Sequence, residues 1–422
     1  MTKPTKTLVP KLRFPEFQNV GQWDEEPLGE LYAFKVTNSL SRDKLNYAHG
    51  AVKNIHYGDI HTKFSNLFDI QKETVPFINH SESLEKIKQD CYCIEGDMIF
   101  ADASEDLEDI GKSIEIVNLN NERLLSGLHT LLARQKAKKL IIGFSGHLFK
   151  SKHIRKQIQK ESQGSKVLGI SAGKISAIDV CYPSEKKEQK KIADCLSSID
   201  ELITAQTQKI AALKTHKKGL MQQLFPADGE IAPKLRFPEF QDSGEWKNHI
   251  ISDLAKVTTG NKDTQNKVDD GDYPFFVRSQ TVERINSFTY DGEAILTSGD
   301  GVGVGKNFHY IIGKFDFHQR VYCIYDFKKD VFGKFIYLYF SEHFYKRVMQ
   351  FNAKNSVDSV RMSAITEMPV MLPKYEEQQK VADCLSSIDE LITAQTQKLK
   401  ALKAHKKGLM QQLFPNADEV GE

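Results

Sequence analysis

Apolar residues recur at steps of four and three through Ile192, Leu196, Ile199, Ile203, Ile210, Leu213, Leu220 and Leu224. Counting Gln206 and Lys217 makes the alternation unbroken. This is the heptad seam of one long helix. A second seam runs through Val381, Leu385, Ile388, Ile392, Gln395, Leu399, Leu402, Lys406, Leu409 and Leu413. Good helix formers fill both runs, and no proline interrupts them before Pro226 or Pro415. Pro183 and Pro373 mark the starts, with Ser184 as a candidate N-cap. Glu185, Glu188, Glu376 and Glu377 fall in the first turns. Lys214, Lys217, Lys218, Lys403, Lys406 and Lys407 fall late, as the helix dipole favours. Each helix should hold about 36–40 residues and extend on the order of 55–60 Å. So narrow a seam needs a partner. The other copy in the same chain, packed antiparallel, is the nearest; pairing with a second molecule is the alternative. Gln206, Gln395, Lys217 and Lys406 would set register at some cost in stability, and the lysines would equally suit a loosely packed, snorkelling end.

The two helices are a repeat. Glu188–Pro226 and Glu377–Pro415 differ only at Lys190/Gln379, Ile192/Val381, Ile210/Leu399, Ala211/Lys400 and Thr215/Ala404. A shorter repeat frames them: PKLRFPEF occupies 10–17 and again 233–240, followed at equal distance by Trp23 and Trp246. The chain thus reads lead-in, variable block, helix, twice over. The blocks, roughly 24–184 and 247–373, are unlike each other. The expected architecture is α+β: two α/β domains (1–184 and 227–373, each with its lead-in) joined by two antiparallel coiled-coil helices (185–226 and 374–422) in a pseudo-two-fold arrangement.

The pattern EQxKxAxxLxxxDxxI…LxxxKxGLMQxLF, duplicated around two dissimilar blocks and preceded each time by PKLRFPEF…W, resembles the specificity subunits of Type I restriction–modification systems. The repeated segments cover about a quarter of the chain, and the architecture covers all of it. The resemblance implies a non-catalytic protein whose two blocks are target recognition domains, each reading half of an interrupted double-stranded DNA site. It implies that the helices space the two readers and dock two modification methyltransferase subunits, to which two restriction endonuclease subunits add. S-adenosylmethionine, ATP and Mg2+ would then belong to those partners, with no cofactor in this chain. A ruler of about 55 Å could hold readers more than one turn of DNA apart, since a turn spans about 34–36 Å.

Within the blocks, polar and turn-rich stretches supply the candidate DNA contacts. The run 54–61 (NIHYGDIH) mixes donors, an aromatic ring and a glycine, and with Lys53 it offers Asn54, His56 and Tyr57; an ordinary exposed hairpin would look the same. CYCIEGDMIFA (91–101) reads as strand, turn, strand, and YDGEAILTSGDGVGVGK (290–306) as its counterpart, with turns at Glu95–Gly96–Asp97 and Asp291–Gly292–Glu293. By the resemblance, loops of this kind lie near DNA, so Ser104, Lys112, Ser298, Asp300, Lys306 and Asn307 are candidates. GDGVGVGKN is no Walker A loop: Asp300 and Asn307 stand where that motif needs glycine and Ser or Thr. Its glycines suit a tight loop near a phosphate backbone, or simply a turn. His129 and His318 each enter an apolar strand, and Gln319 and Arg320 are the types suited to bidentate contacts with adenine and guanine. Each block closes on a basic stretch. Lys152, Arg155, Lys166 and Lys174 lie in the first; Lys354 and Arg361 lie in the second. These are phosphate-contact candidates, or solvated helix faces.

Composition narrows the picture only a little. With 58 basic and 56 acidic residues the net charge is +2, so a DNA-binding face must be local. The six cysteines form no CxxC pair, which argues against a zinc ribbon and fits a reducing cytoplasm, so no metal is expected. Met1–Pro10 has no apolar run of the signal-peptide kind, and no stretch is long and apolar enough for a membrane span. Amino-methyltransferase tetrapeptides, a Walker pair and HExxH are missing, so no catalytic residues are assigned. Two other functions compete with the DNA reader: a coiled-coil scaffold for protein ligands, and a methyltransferase–nuclease fusion.

Overall fold

Both seams become helices of 39 residues, Lys186–Leu224 and Tyr375–Leu413. The computed structural model describes residues 8–227, 229–351 and 359–415. Every seam position is buried or half-buried, while most positions between them are exposed. The first helix starts one residue later than the Ser184 cap implies. The Glu185 carbonyl accepts from Glu188 and Gln189 N–H, so Glu185 takes the cap position.

The described chain folds as two compact units. Unit 1 runs to Gln206 and resumes at Lys398; unit 2 is Thr207–Gln397. Each long helix therefore gives its first half to one unit and its second half to the other. In unit 1, Leu413 and Phe414 pack with Ile192, Ala193 and Leu196, while Lys406 reaches Asp200 at 2.6 Å. Numbers rise along one helix as they fall along the other, so the halves are antiparallel. Unit 2 repeats this with Leu224 and Phe225 against Val381 and Leu385, and Lys217 on Asp389 at 2.7 Å. The seam lysines thus reach aspartates on the facing helix.

The duplicated Glu–Gln dipeptide ties each helix to its domain. Arg13 grips Glu188 with two hydrogen bonds of 2.7 Å, and Trp23 Nε1 donates to the same carboxylate at 3.3 Å. Arg236 and Trp246 hold Glu377 in the same way, at 2.7 and 3.2 Å. Gln189 accepts from Ile141 N–H and donates to the Lys139 and Pro183 carbonyls. Gln378 matches it with Phe332, Asp330 and Pro373. The lead-in, the loop around 139–141 (330–332 in the second block) and the block's end are thus fixed to one helical turn. Two-stranded ribbons, Asp24–Pro27 with Asp179–Tyr182 and Lys247–Ile250 with Pro369–Leu372, bring each block's ends together.

The two blocks, unlike in sequence, each build a sheet of the same topology. In unit 1 the order is Tyr32–Lys35, Thr130–Gln135, Met98–Ala101, Ser113–Asn118, Leu67–Asp69. In unit 2 it is Lys256–Thr259, Val321–Tyr325, Tyr290–Ser298, Phe308–Phe317, Tyr273–Phe276, with Val282–Ile285 added at the edge. In both, the first four strands are antiparallel and the fifth pairs parallel with the fourth. Unit 1 adds a four-stranded sheet that carries Lys53–Ile55. The expected turn at Asp291–Gly292–Glu293 is instead inside a strand, paired with Lys314, Gly313 and Ile312; the strand simply continues through the glycine. All six cysteines are free. Among the described residues no helix is long and apolar enough to cross a membrane.

Candidate nucleic-acid interface

Each of the two sheets presents an acid–base pair at the same end of its second and third strands. In unit 1, Asp102 follows the third sheet strand and lies 3.2 Å from His129 Nδ1, just ahead of the second. In unit 2, Gly299 stands at the place of Asp102 and Arg320 at that of His129; Asp300, one residue on, lies 3.7 Å from Arg320, and Arg278 reaches the same carboxylate at 3.3 Å. Main-chain bonds brace both sites alike: Ile170 N–H donates to the Asp102 carbonyl, and Val360 N–H to that of Gly299.

Around His129, whose φ is +54°, the Tyr57 ring packs at 5.3 Å and in turn meets His56 and His61. Arg42 and Lys63 converge on buried Asp59 at 2.7 and 2.9 Å. Burial pushes the Asp59 carboxyl up, but the hydrogen bonds from Arg42 and Lys63 outweigh it and hold the carboxyl below its ordinary range. Burial, then Arg42, lowers the pKa of His56, whose Nδ1 accepts from Gly58 N–H at 3.2 Å. His318 does the same in unit 2, lowered by burial and then Arg278, with Nδ1 accepting from Arg320 N–H at 2.9 Å.

Several expected contact residues are turned inward. Asn54 is fully buried and accepts from Asn38 at 2.7 Å. His56, Ser104, Ser298 and His318 are also buried; Ser104 accepts from Asp106 N–H, and Ser298 donates to the Arg278 carbonyl. These five support loops and bond within the protein, although the Asn54 Nδ2 amide is buried without a hydrogen-bond partner. Lys53 pairs with Glu122 at 2.7 Å, Lys112 donates to the His61 carbonyl at 2.6 Å, and Lys174 to that of Glu161 at 2.8 Å. Arg155 clasps the carbonyls of Glu108 and Ile110, and burial lowers its pKa. It ties down a loop and does not offer a free charge. Asn307 holds the Arg278 carbonyl at 2.8 Å, and Gln319 donates to Asp263 at 3.1 Å. Lys152, Lys166, Lys306, Arg320 and Arg361 are exposed. Lys354 lies outside the described residues.

Arg278, Arg42 and Asp102 were not singled out from sequence. Arg278 stands directly after the aromatic strand YPFFV, but nothing local distinguishes it from any exposed arginine. Among the described residues one group combines metal-ligating types: Glu25, His153 and Cys181, with ligand atoms within 4.8 Å of one another. Glu25 faces Cys181 across the closing ribbon and accepts from its thiol at 3.2 Å, so that hydrogen bond already accounts for the contact.

Comparison with known proteins agrees with this double architecture. The family described as the Type I restriction modification DNA specificity domain matches residues 52–215 and again 243–404. The Type I restriction enzyme EcoDI specificity subunit of Escherichia coli is 30% identical over 145 residues, which is 34% of this chain and 31% of that protein. A putative type I restriction enzyme MjaX specificity subunit of Methanocaldococcus jannaschii is 26% identical over 406 residues, 90% of this chain and 89% of the relative. In fold, the chain is similar to the S subunit of a Type I restriction–modification system from M. genitalium, with a TM-score of 0.63, 14% identity, and coverage of 97% of this chain and 100% of that one.

Proposed function

Because this chain belongs to the Type I restriction modification DNA specificity family, we propose that it is the non-catalytic sequence reader of a restriction–modification enzyme, with each domain taking one half of an interrupted DNA site. The observation that carries this reading is the one sheet, built twice on matching helix clasps, that displays a different polar cluster each time: Tyr57, Asp102 and His129 in one, Arg278, Asp300 and Arg320 in the other. One scaffold with two different reading surfaces suits a two-part, asymmetric sequence.

On this reading, two modification subunits dock on the helices and methylate one adenine in each half-site after flipping it from the stack. Two restriction subunits complete the nuclease. S-adenosylmethionine, ATP and Mg2+ serve those partners, and this chain contributes recognition and spacing.

Single-molecule sequencing of DNA from a host expressing the chain with its modification partner tests this. A new interrupted motif, with adenine methylated on both strands, is expected. A soluble complex that leaves no new methylation would favour the scaffold reading instead.

A further inference from the structure

Arg278 and Arg320 flank a single carboxylate, Asp300, at 3.3 and 3.7 Å. Their side chains are 50% and 66% exposed, whereas that of Asp300 is only 23% exposed. The main chain beneath both arginines is held firmly. Ser298 Oγ and Asn307 Nδ2 both donate to the Arg278 carbonyl, at 3.1 and 2.8 Å. His318 accepts the Arg320 N–H.

The glycine loop follows from this arrangement. A Cβ on Gly303 would sit 2.1 Å from Asn307 Nδ2 and 2.7 Å from the Arg278 carbonyl, and one on Gly299 would sit 3.0 Å from that of Arg320. The loop folds closely over the backbone of both arginines, and at Gly303 a Cβ has no room against the Arg278 carbonyl. Two exposed guanidiniums on a fixed base lose less freedom on binding than they would on a mobile loop.

The chemistry of the cluster selects its ligand. In the major groove a G·C pair shows two acceptors, guanine N7 and O6, beside one donor, cytosine N4–H. Guanidinium beside carboxylate is the complement of that edge, arginine donating to guanine and aspartate accepting from cytosine. A phosphate would use the guanidiniums alone and be repelled by Asp300.

We propose that the Arg278–Asp300–Arg320 cluster reads a G·C pair in the half-site taken by unit 2. The proposal rests on the DNA-reading function above. The test uses the full chain assembled with its modification partner and a DNA library randomised across both half-sites. Wild type should require G·C at one position of one half-site. Arg278→Ala and Arg320→Ala should each relax that position, with discrimination falling on the order of ten- to a hundredfold. The other half-site should be unchanged, which also shows that the variants fold. Arg278→Lys keeps the charge but loses the fork, and should relax the same position.

Variants that weaken binding equally for every sequence, with a shallower salt dependence, would mark phosphate contacts and overturn the inference. So would a wild-type motif whose G·C positions ignore all three variants. In both cases the two-reader function stands. Wild-type protein that binds all sequences alike would bring down both readings.

Discussion

Arg13 and Glu188 form a buried, bidentate ion pair at 2.7 Å, with side chains 6% and 1% exposed, between the first lead-in and the first turns of a long helix. The pair explains why the lead-in and the helix recur together. Arg13→Ala leaves the Glu188 carboxylate buried with Trp23 as its remaining side-chain donor. The expected cost is about 3–5 kcal/mol. Urea unfolding followed by Trp23 fluorescence measures it, on a Trp246→Phe background because the chain has 2 tryptophans. A loss below about 1 kcal/mol would show that the clasp is dispensable.

Lys406 and Asp200 should couple across the helix pair, as should Lys217 and Asp389. The side chains are 19–41% exposed, so solvent screens them and the coupling should be about 0.5–1 kcal/mol. Asp200→Lys should destabilise, and adding Lys406→Asp should recover most of the loss. A double-mutant cycle at low and high salt measures this, with the coupling shrinking as salt rises. A cycle that closes to zero would leave register to the apolar seam alone.

Buried groups in unit 1 predict a stability maximum between acid and alkaline losses. Burial pushes the Glu115 carboxyl up to about 8 from 4.5, against the opposing hydrogen bond from Gly146 N–H. Its contribution is complete below 4.5 and is lost as pH rises through about 8. Burial, then Lys406 and Lys150, pulls His147 down to about 3 from 6.5. Its contribution is complete above 6.5 and is lost as pH falls toward about 3. Glu115→Gln keeps an acceptor for Gly146 and cannot ionise. Between pH 5 and 9, roughly the window of this shift, thermal melting should show the variant gaining on wild type. Parallel curves would mean that Glu115 titrates normally.

Lys166 and Arg155 should separate affinity from stability. Lys166 is exposed, and Lys166→Ala should weaken DNA binding about equally for all sequences, lowering the salt slope by about 1. Arg155→Ala frees the carbonyls of Glu108 and Ile110 and should lower the melting temperature. Binding isotherms over a salt series, with melting curves alongside, distinguish the two. Reversed effects would exchange their roles.

The helical half of this protein could be read from the sequence alone. The seam through Ile192–Leu224 and its copy follow from a period set by bonds four residues apart, so local order carries the whole signal. The duplicated lead-ins, the placement of Trp23 and Trp246, and the family resemblance are equally linear features. Which charges stay free for DNA is not. Asn54, Ser298 and His318 look like contacts until the fold buries them, and Lys112 and Arg155 look free until distant carbonyls accept their hydrogen bonds. Asp102 meets His129, and Asp300 meets both Arg278 and Arg320, only because strands far apart in the chain lie side by side. The periodicity of a helix is set by its own residues. The exposure of a polar side chain depends on what the rest of the fold packs against it, and that is decided only in three dimensions.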